Sequence, residues 1–350
     1  MIEKVVFFMN NVMKINILLK GFLALMLFCS CGDNDEAFPS HMEKNWYAIE
    51  YDPNASELDR LIYEVYDRTG FPIFYSDTIG SQTRYDKGGN PYTYYEVFKP
   101  GYIFTNRTTA PVYSIERDEN RLRQMVELLD GYVLEPYFSK ERVAVENGKY
   151  GPLAFMLVDT LLRSKKPDSL YLDLGVLALS SRYTMTRGKN KFISVSEMTK
   201  EEKERYGWNL AMYELLRYFQ NSYPDELNAY FDITKENPDL EGSGKDLFLI
   251  TSKGESYNYV YSASNNGIKE YNIDLTEPRK YGVLRYQKMN KYNVYFPSFL
   301  EDLSAFMEMI YTKTDAEVRA ENGEYELLIK RYEALVALLK NSGLTHFIKE

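Results

Sequence analysis

Cysteine is almost absent from this chain. Only Cys29 and Cys31 occur in 350 residues, both in an apolar run near the N-terminus. From residue 32 onward there is no thiol, so a disulfide framework and a cysteine nucleophile are both excluded there. Histidine is as scarce, with His41 and His346 alone. Any mechanism needing two histidines in the body of the protein fails by counting, and Ser180-Ser181 have no histidine partner for a Ser-His-Asp triad. Basic residues are outnumbered, 42 against 51 acidic, for a net charge of −9. Neutralising a phosphate backbone needs clustered Lys and Arg, so nucleic acid is an unsuitable partner. Gly242-Ser243-Gly244 lacks the lysine and Ser/Thr of a phosphate-binding loop. No internal repeat or low-complexity tract is present.

What is there begins with the run Gly21-Phe22-Leu23-Ala24-Leu25-Met26-Leu27-Phe28-Cys29-Ser30-Cys31. Lys14 and Lys20 precede it and a small residue, Ser30, stands before the second cysteine. The run is too short to persist as a membrane-spanning helix, and its flanks are those of a cleaved export signal. Residues 1–31 therefore read as a bacterial lipoprotein signal ending at a lipidated Cys31. The lipid anchor on that residue makes the membrane the first expected partner. Met13-Lys14 opens a signal of more ordinary length than Met1, so translation is expected to start there. Gly32-Asp33-Asn34-Asp35-Glu36 is acidic. It resembles the export signal of surface lipoproteins in Gram-negative gut bacteria, which implies the outer membrane, facing the cell exterior. Removing residues 1–30 takes away three lysines and one glutamate, leaving a net charge of −11.

Residues 32–45 read as a polar tether and 46–350 as the folded domain. Ser56-Glu57-Leu58-Asp59 caps a helix carrying Leu58, Leu61, Ile62 and Val65 at helical spacing, closed by Gly70. Phe71-Pro72-Ile73-Phe74-Tyr75 reads as a strand, 80–92 as a glycine-rich loop or hairpin tip, and Tyr92 to Phe104 as an aromatic strand. Helices are expected at 120–129 and 151–163, and strands at 169–174 and 191–195. Thr199-Lys200-Glu201-Glu202 is a capping box opening a further helix, with Trp208, Met212, Leu215 and Phe219 as its apolar stripe. Residues 236–290 are loop- and strand-rich, and helices return at 298–311 and 316–341. Helices and short strands mix without regular alternation, so the fold class is α+β.

Tyrosine is abundant, at 32 residues. Its ring and hydroxyl suit sugar or peptide surfaces, although half-buried strand positions are its commoner use. Tyr92, Tyr94 and Tyr95 are the candidate binding residues on the aromatic strand. Acids are plentiful too, and Glu301, Asp302 and Glu308 share one predicted helix. A glycosidase-type carboxylate pair is one reading of them and a solvated helix face the commoner one.

The capped helix carries Tyr213-Glu214-Leu215-Leu216-Arg217. In zinc peptidases a helix presents His-Glu-x-x-His, with two imidazoles on the metal and the glutamate as general base. With Leu58-Asp59, Phe71 to Tyr75, an apolar strand from Leu170 to Leu179, Tyr223-Pro224, Phe231 to Thr234, Glu301 to Phe306 and Leu327 to Phe347 in the same order, most of the chain resembles the substrate import-associated zinc metallohydrolase lipoproteins of gut bacteria. The resemblance implies a single zincin-like metallopeptidase domain over 46–350 and a place beside an outer-membrane nutrient importer and its surface lipoprotein. The glutamate is kept and both ligand positions are changed. Tyr213 keeps its proton at neutral pH and Arg217 cannot ligate at all. The expectation is a degenerate site with no metal and no cofactor, leaning away from an enzyme, in which Arg217 supplies the missing positive charge to Glu214. Tyr213 and Arg217 are then candidate binding residues of the old cleft. Two other readings stay open: an active hydrolase with an atypical carboxylate site using Glu214 as base, and a structural envelope lipoprotein.

Overall fold

One strand, apolar on both faces, divides the folded part of this protein into two cores. The computed structural model describes residues 44–98, 112–138, 150–163, 166–167, 170–173, 175–182, 184–186, 191–237, 249–251, 259–261, 268–270, 276–288, 293–295 and 297–350. Cys31, the signal and nearly all of the tether lie outside them. Trp46–Glu350 forms one compact unit. Among the described residues no helix is long and apolar enough to cross a membrane.

The chain opens with α1 (Glu57–Thr69), where the Ser56 hydroxyl accepts from the Asp59 N–H and Gly70 closes the helix at φ 82°. Next come β1 (Ile73–Phe74), the hairpin β2 (Thr78–Tyr85) and β3 (Pro91–Val97), and β4 (Val112–Ile115). α2 (Glu119–Leu129) runs without a break into a π-helix, Asp130–Phe138. β5 (Ala154–Arg163) then occupies the segment expected to be helical. Ala154-Phe155-Met156-Leu157-Val158 is an unbroken apolar run, which periodicity cannot separate from a buried helix. In the fold it is a central strand. Phe155 and Leu157 join the helical core, whereas Ala154, Met156 and Val158 join a smaller core with Phe98 and Val176.

β6 (Lys166–Pro167), β7 (Leu170–Asp173) and β8 (Val176–Ser180) complete this sheet. β5 pairs parallel with β1 (Ile73↔Phe155) and with β8 (Ala154↔Val176), and antiparallel with β4 and β6. The stretch 170–179 is two antiparallel strands rather than one, because Gly175 turns the chain at φ 82°. β9 (Thr184–Thr186) and β10 (Lys191–Ile193) pair with each other.

α3 (Lys200–Ser222) starts at the expected capping box, and Trp208, Met212, Leu215 and Phe219 are all buried. It crosses the π-helix at Gly207, where an added Cβ would lie 1.7 Å from the Tyr132 carbonyl oxygen. Only glycine permits that approach. α4 (Pro224–Asp232) follows. β11 (Leu249–Thr251), β12 (Tyr259–Tyr261), β13 (Ile268–Glu270), β14 (Gln287–Lys288) and β15 (Asn293–Tyr295) form a second sheet in the order β13-β12-β11-β15-β14. The C-terminal helices are α5 (Phe299–Thr312), α6 (Asp315–Asn322) and α7 (Glu326–Asn341). A single helix was expected over 316–341, but α6 stops at Gly323 and Tyr325 starts α7. The result is an α+β fold.

Two buried carboxylates tie these elements together. Asp302 on α5 pairs with Arg331 on α7, which is 1% exposed. Arg331 also donates to the Gly282 carbonyl at 2.7 Å and lies over the Tyr230 ring at 4.2 Å, and the Tyr230 hydroxyl donates to Asp302 at 3.0 Å. Of the three helix acids considered as a glycosidase pair, Asp302 is therefore structural, and Glu301 closes the capping box of its own helix. Glu116, 2% exposed, receives Arg121 through both oxygens at 2.8 and 3.0 Å. The backbone N–H groups of Arg117 and Asp118 and the Ser181 hydroxyl also donate to it.

Burial alone would raise the Glu116 carboxyl. The bonds from Arg121, Ser181 and the two backbone donors outweigh it and bring the group from 4.5 to about 2. A depressed acid contributes stability above its unfolded value and loses it as pH falls through the folded one. Glu116→Gln should cost about 1–3 kcal/mol at neutral pH. It should also flatten the loss of stability between pH 4.5 and about 2, read from urea unfolding across that range. An unchanged acid limb would contradict the role given to Glu116.

Candidate functional site

The capping box fixes the rotation of α3 from its first turn, and the Trp208 stripe fixes which side faces the core. The helical spacing puts Tyr213 and Arg217 opposite the Trp208 stripe, roughly 140–180° around the helix, and Glu214 on the flank between Arg217 and the stripe. The Glu214 side chain is 0% exposed, because α3 is covered around most of its circumference by the sheet core, the π-helix and α5. Tyr213 is half-buried and packs on the same core, and the Arg217 side chain keeps 25% exposure.

Arg217 meets Glu214 one helical turn back. Its Nε and Nη2 donate to the same carboxylate oxygen, Oε2, at 2.9 and 2.6 Å. Nη2 also donates to the Gly151 carbonyl at 2.9 Å. One guanidinium therefore joins the carboxylate of α3 to the turn leading into β5. That turn is conformationally demanding. Gly151 has φ 99°, and an added Cβ would lie 2.9 Å from the Phe71 ring and 3.2 Å from Phe138.

The other carboxylate oxygen, Glu214 Oε1, is buried and makes no hydrogen bond to any described group, and the Tyr150 hydroxyl is in the same condition. Tyr150 sits in an aromatic enclosure. It stacks on Phe138 with ring centroids 4.8 Å apart, and meets Tyr218 at 5.7 Å and Phe347 at 6.3 Å. Burial, with the nearby Glu214 charge adding to it, pushes the Tyr150 phenol well above its usual value. Burial likewise raises Glu214, and the bond and charge of Arg217 pull it partly back. Sequence reasoning missed the Tyr150 contribution, because nothing in the residues around 150 marks them as neighbours of 214. The one local signal, Tyr150-Gly151, acquires meaning only once the turn is placed.

The donor set does not fit a zinc ion of the peptidase kind. A phenol and a guanidinium hold the two helix positions one turn apart, and the guanidinium lies on the carboxylate between them. Among the described residues no three His, Cys, Asp or Glu side chains gather as a metal-binding set. A general base must also have an oxygen that water or substrate can reach. Glu214 has one oxygen held by Arg217 and the other enclosed.

The aromatic strand divides differently from its tyrosines' adjacency in sequence. Tyr94 faces the body of the protein, with Arg84 over its ring at 3.4 Å, Trp46 at 6.0 Å and its hydroxyl donating to Glu96 at 2.7 Å. Tyr92 shares that face at its outer end, opposite Arg84, whereas Tyr95 lies on the other face opposite Ser81. The structure brings neither group to Glu214. Beyond residue 98 the expected strand lies outside the described residues.

No known protein family matches the chain, and no characterised protein matches it in sequence. Among solved structures it is similar to one described as a "putative zinc-binding metallo-peptidase" from Bacteroides caccae ATCC 43185. Identity is 14%, the match covers 84% of this chain and 91% of that one, and the TM-score is 0.38.

Removing one partner of a buried pair leaves an uncompensated charge. Arg217→Met should cost about 3–5 kcal/mol in urea unfolding, and adding Glu214→Gln should recover a large part of it. Additive losses in the double variant would show that the two side chains act independently.

Proposed function

We propose that this chain is a lipid-anchored surface protein that binds rather than cuts, built on a degenerate metallopeptidase scaffold. Cys31 carries the anchor, and the acidic residues after it direct the protein to the exterior of the outer membrane. There it serves as an accessory beside a nutrient importer and its companion lipoprotein. The observation that carries this reading is Arg217 on Glu214. The residue position that would supply the second metal ligand supplies a fixed positive charge instead. The motif order along the chain supports the scaffold, and the lipoprotein pattern supports the address.

The alternative of an active hydrolase using Glu214 as base is opposed by the enclosure of that carboxylate. The alternative of a structural envelope lipoprotein draws support from the same enclosure, since the protein's own side chains fill the space around Glu214. The half-exposed edge at Tyr213 and Arg217 keeps a contact surface there.

Elemental analysis of the detergent-solubilised full-length protein tests the reading. The native chain should contain no stoichiometric zinc, and Tyr213→His combined with Arg217→His should acquire it. Stoichiometric zinc in the native protein would overturn the proposal and restore an enzyme built on oxygen ligands.

A further inference from the structure

Among the described residues, eight large apolar side chains are exposed, and four of them, Tyr85, Tyr92, Tyr95 and Val97, belong to the β2–β3 hairpin. Scattered exposed apolar residues need no explanation, whereas a concentration of them marks a contact surface. The register sorts this one. Thr83 opposes Thr93, Ser81 opposes Tyr95 and Tyr85 opposes Pro91. All of these side chains, with Val97 beyond them, project from the outer face and are exposed. Arg84, Tyr92, Tyr94 and Glu96 alternate with them and project from the inner face, so three of the four exposed apolar side chains, Tyr85, Tyr95 and Val97, share the outer one.

The outer face carries no charged residue, in a chain that is 27% charged. It presents two tyrosine rings, 64% and 59% exposed for Tyr85 and Tyr95, with Ser and Thr hydroxyls between them. Tyr85 lies four residues along the strand from Ser81, the partner of Tyr95. The two rings are therefore separated by about 13 Å along the strand axis.

The platform is held rigid from beneath and at its tip. Trp46 packs against Gly80, where a Cβ would lie 2.7 Å from its ring, and Tyr94 is clasped between Trp46 and Arg84. Phe98 anchors the hairpin base in the smaller core. At the tip one Asp86 oxygen accepts from the backbone N–H groups of Gly88 and Asn90, both at 2.8 Å. A surface fixed before it meets its ligand loses little entropy on binding.

We infer that the outer face of the β2–β3 hairpin binds a neutral oligosaccharide chain, with Tyr85 and Tyr95 as two stacking platforms and Ser81, Thr83 and Thr93 as hydrogen-bonding partners between them. The inference deepens the binding role proposed above and rests on it. Charge selects the occupant. A face without a cation or an anion offers nothing to an acidic glycan or a charged peptide, whereas a sugar ring presents C–H groups to an aromatic plane and hydroxyls to hydroxyls. Tyrosine gives that contact with few rotatable bonds to immobilise.

Affinity electrophoresis of the full-length protein in gels containing amylopectin, galactomannan, arabinoxylan or mixed-linkage β-glucan tests the inference, with polygalacturonate and a casein digest as charged comparisons. At least one neutral polysaccharide should retard the protein, and added salt should leave the retardation unchanged. Tyr85→Ala with Tyr95→Ala should weaken it about tenfold or more, from two lost aromatic contacts. Tyr51→Ala, at a tyrosine equally exposed but outside the hairpin, should not. Thr93→Lys, which puts a charge at mid-face, should weaken binding without removing either ring. No retardation by any neutral polysaccharide would overturn the inference, as would retention by polygalacturonate or peptides alone, or an unaffected double variant. Zinc in the native protein would overturn the non-catalytic reading and leave this face standing, so the two failures are distinguishable.

Discussion

A charge pair closed inside one turn of a central helix is the constraint around which this structure is arranged. Glu214 is fully enclosed, and a buried carboxylate without a counter-charge is too costly to persist. Arg217 pays that debt from three residues away on the same helix, through both Nε and Nη2. Because Nη2 also holds the Gly151 carbonyl, the pair fixes the turn that feeds β5. β5 in turn carries both cores. Helix, turn and central strand are thus coupled through one guanidinium. The unbonded Oε1 and the unbonded Tyr150 hydroxyl beside it are the remaining cost of keeping an acid there at all.

The same arrangement explains why the residue type at 217 matters more than its charge alone. A lysine would supply one point charge on a flexible stem. Arginine's planar fork reaches a carboxylate and a carbonyl together, which is what joining two elements requires. A structural function of this kind needs no access to solvent, and the pair has little. The β2–β3 hairpin is built the other way: its inner face is pinned by Trp46 and Arg84, and its outer face, with Tyr85 and Tyr95, is exposed.

Much of the helical framework was legible because its signals are local. The capping box at Thr199, the Trp208 stripe and the Ser56 cap each lie within one or two turns of what they specify, and each is found in the structure. β5 was misread because a strand buried on both faces leaves no alternation to detect, so Ala154 to Val158 carry no period of two. The division of 170–179 turned on Gly175, a single glycine inside an apolar stretch, which signals a turn only when the neighbouring elements are known. The break in 316–341 at Asn322-Gly323 carries a local turn signal that the helical spacing on either side obscured. Partners distant in sequence were not legible at all. Nothing near Glu116 points to Ser181, nothing near Asp302 points to Arg331, and nothing near Glu214 points to Tyr150. The Glu214–Arg217 pair was legible because both residues share one helix. The burial of Glu214 was not legible, since the flank of an α-helix is buried whenever a third element covers it, and that element lies far away in sequence.

Thermal unfolding of the full-length protein with a strong zinc chelator, and separately with added zinc, tests the central claim most directly. A metal bound to the native state would stabilise it in proportion to its occupancy, so removal or addition would move the midpoint. With Arg217 as the permanent counter-charge of Glu214, the midpoint should be the same in chelator, in buffer and in zinc. A midpoint that falls in chelator and returns with zinc would show that a metal, and not the guanidinium, holds the centre of this fold.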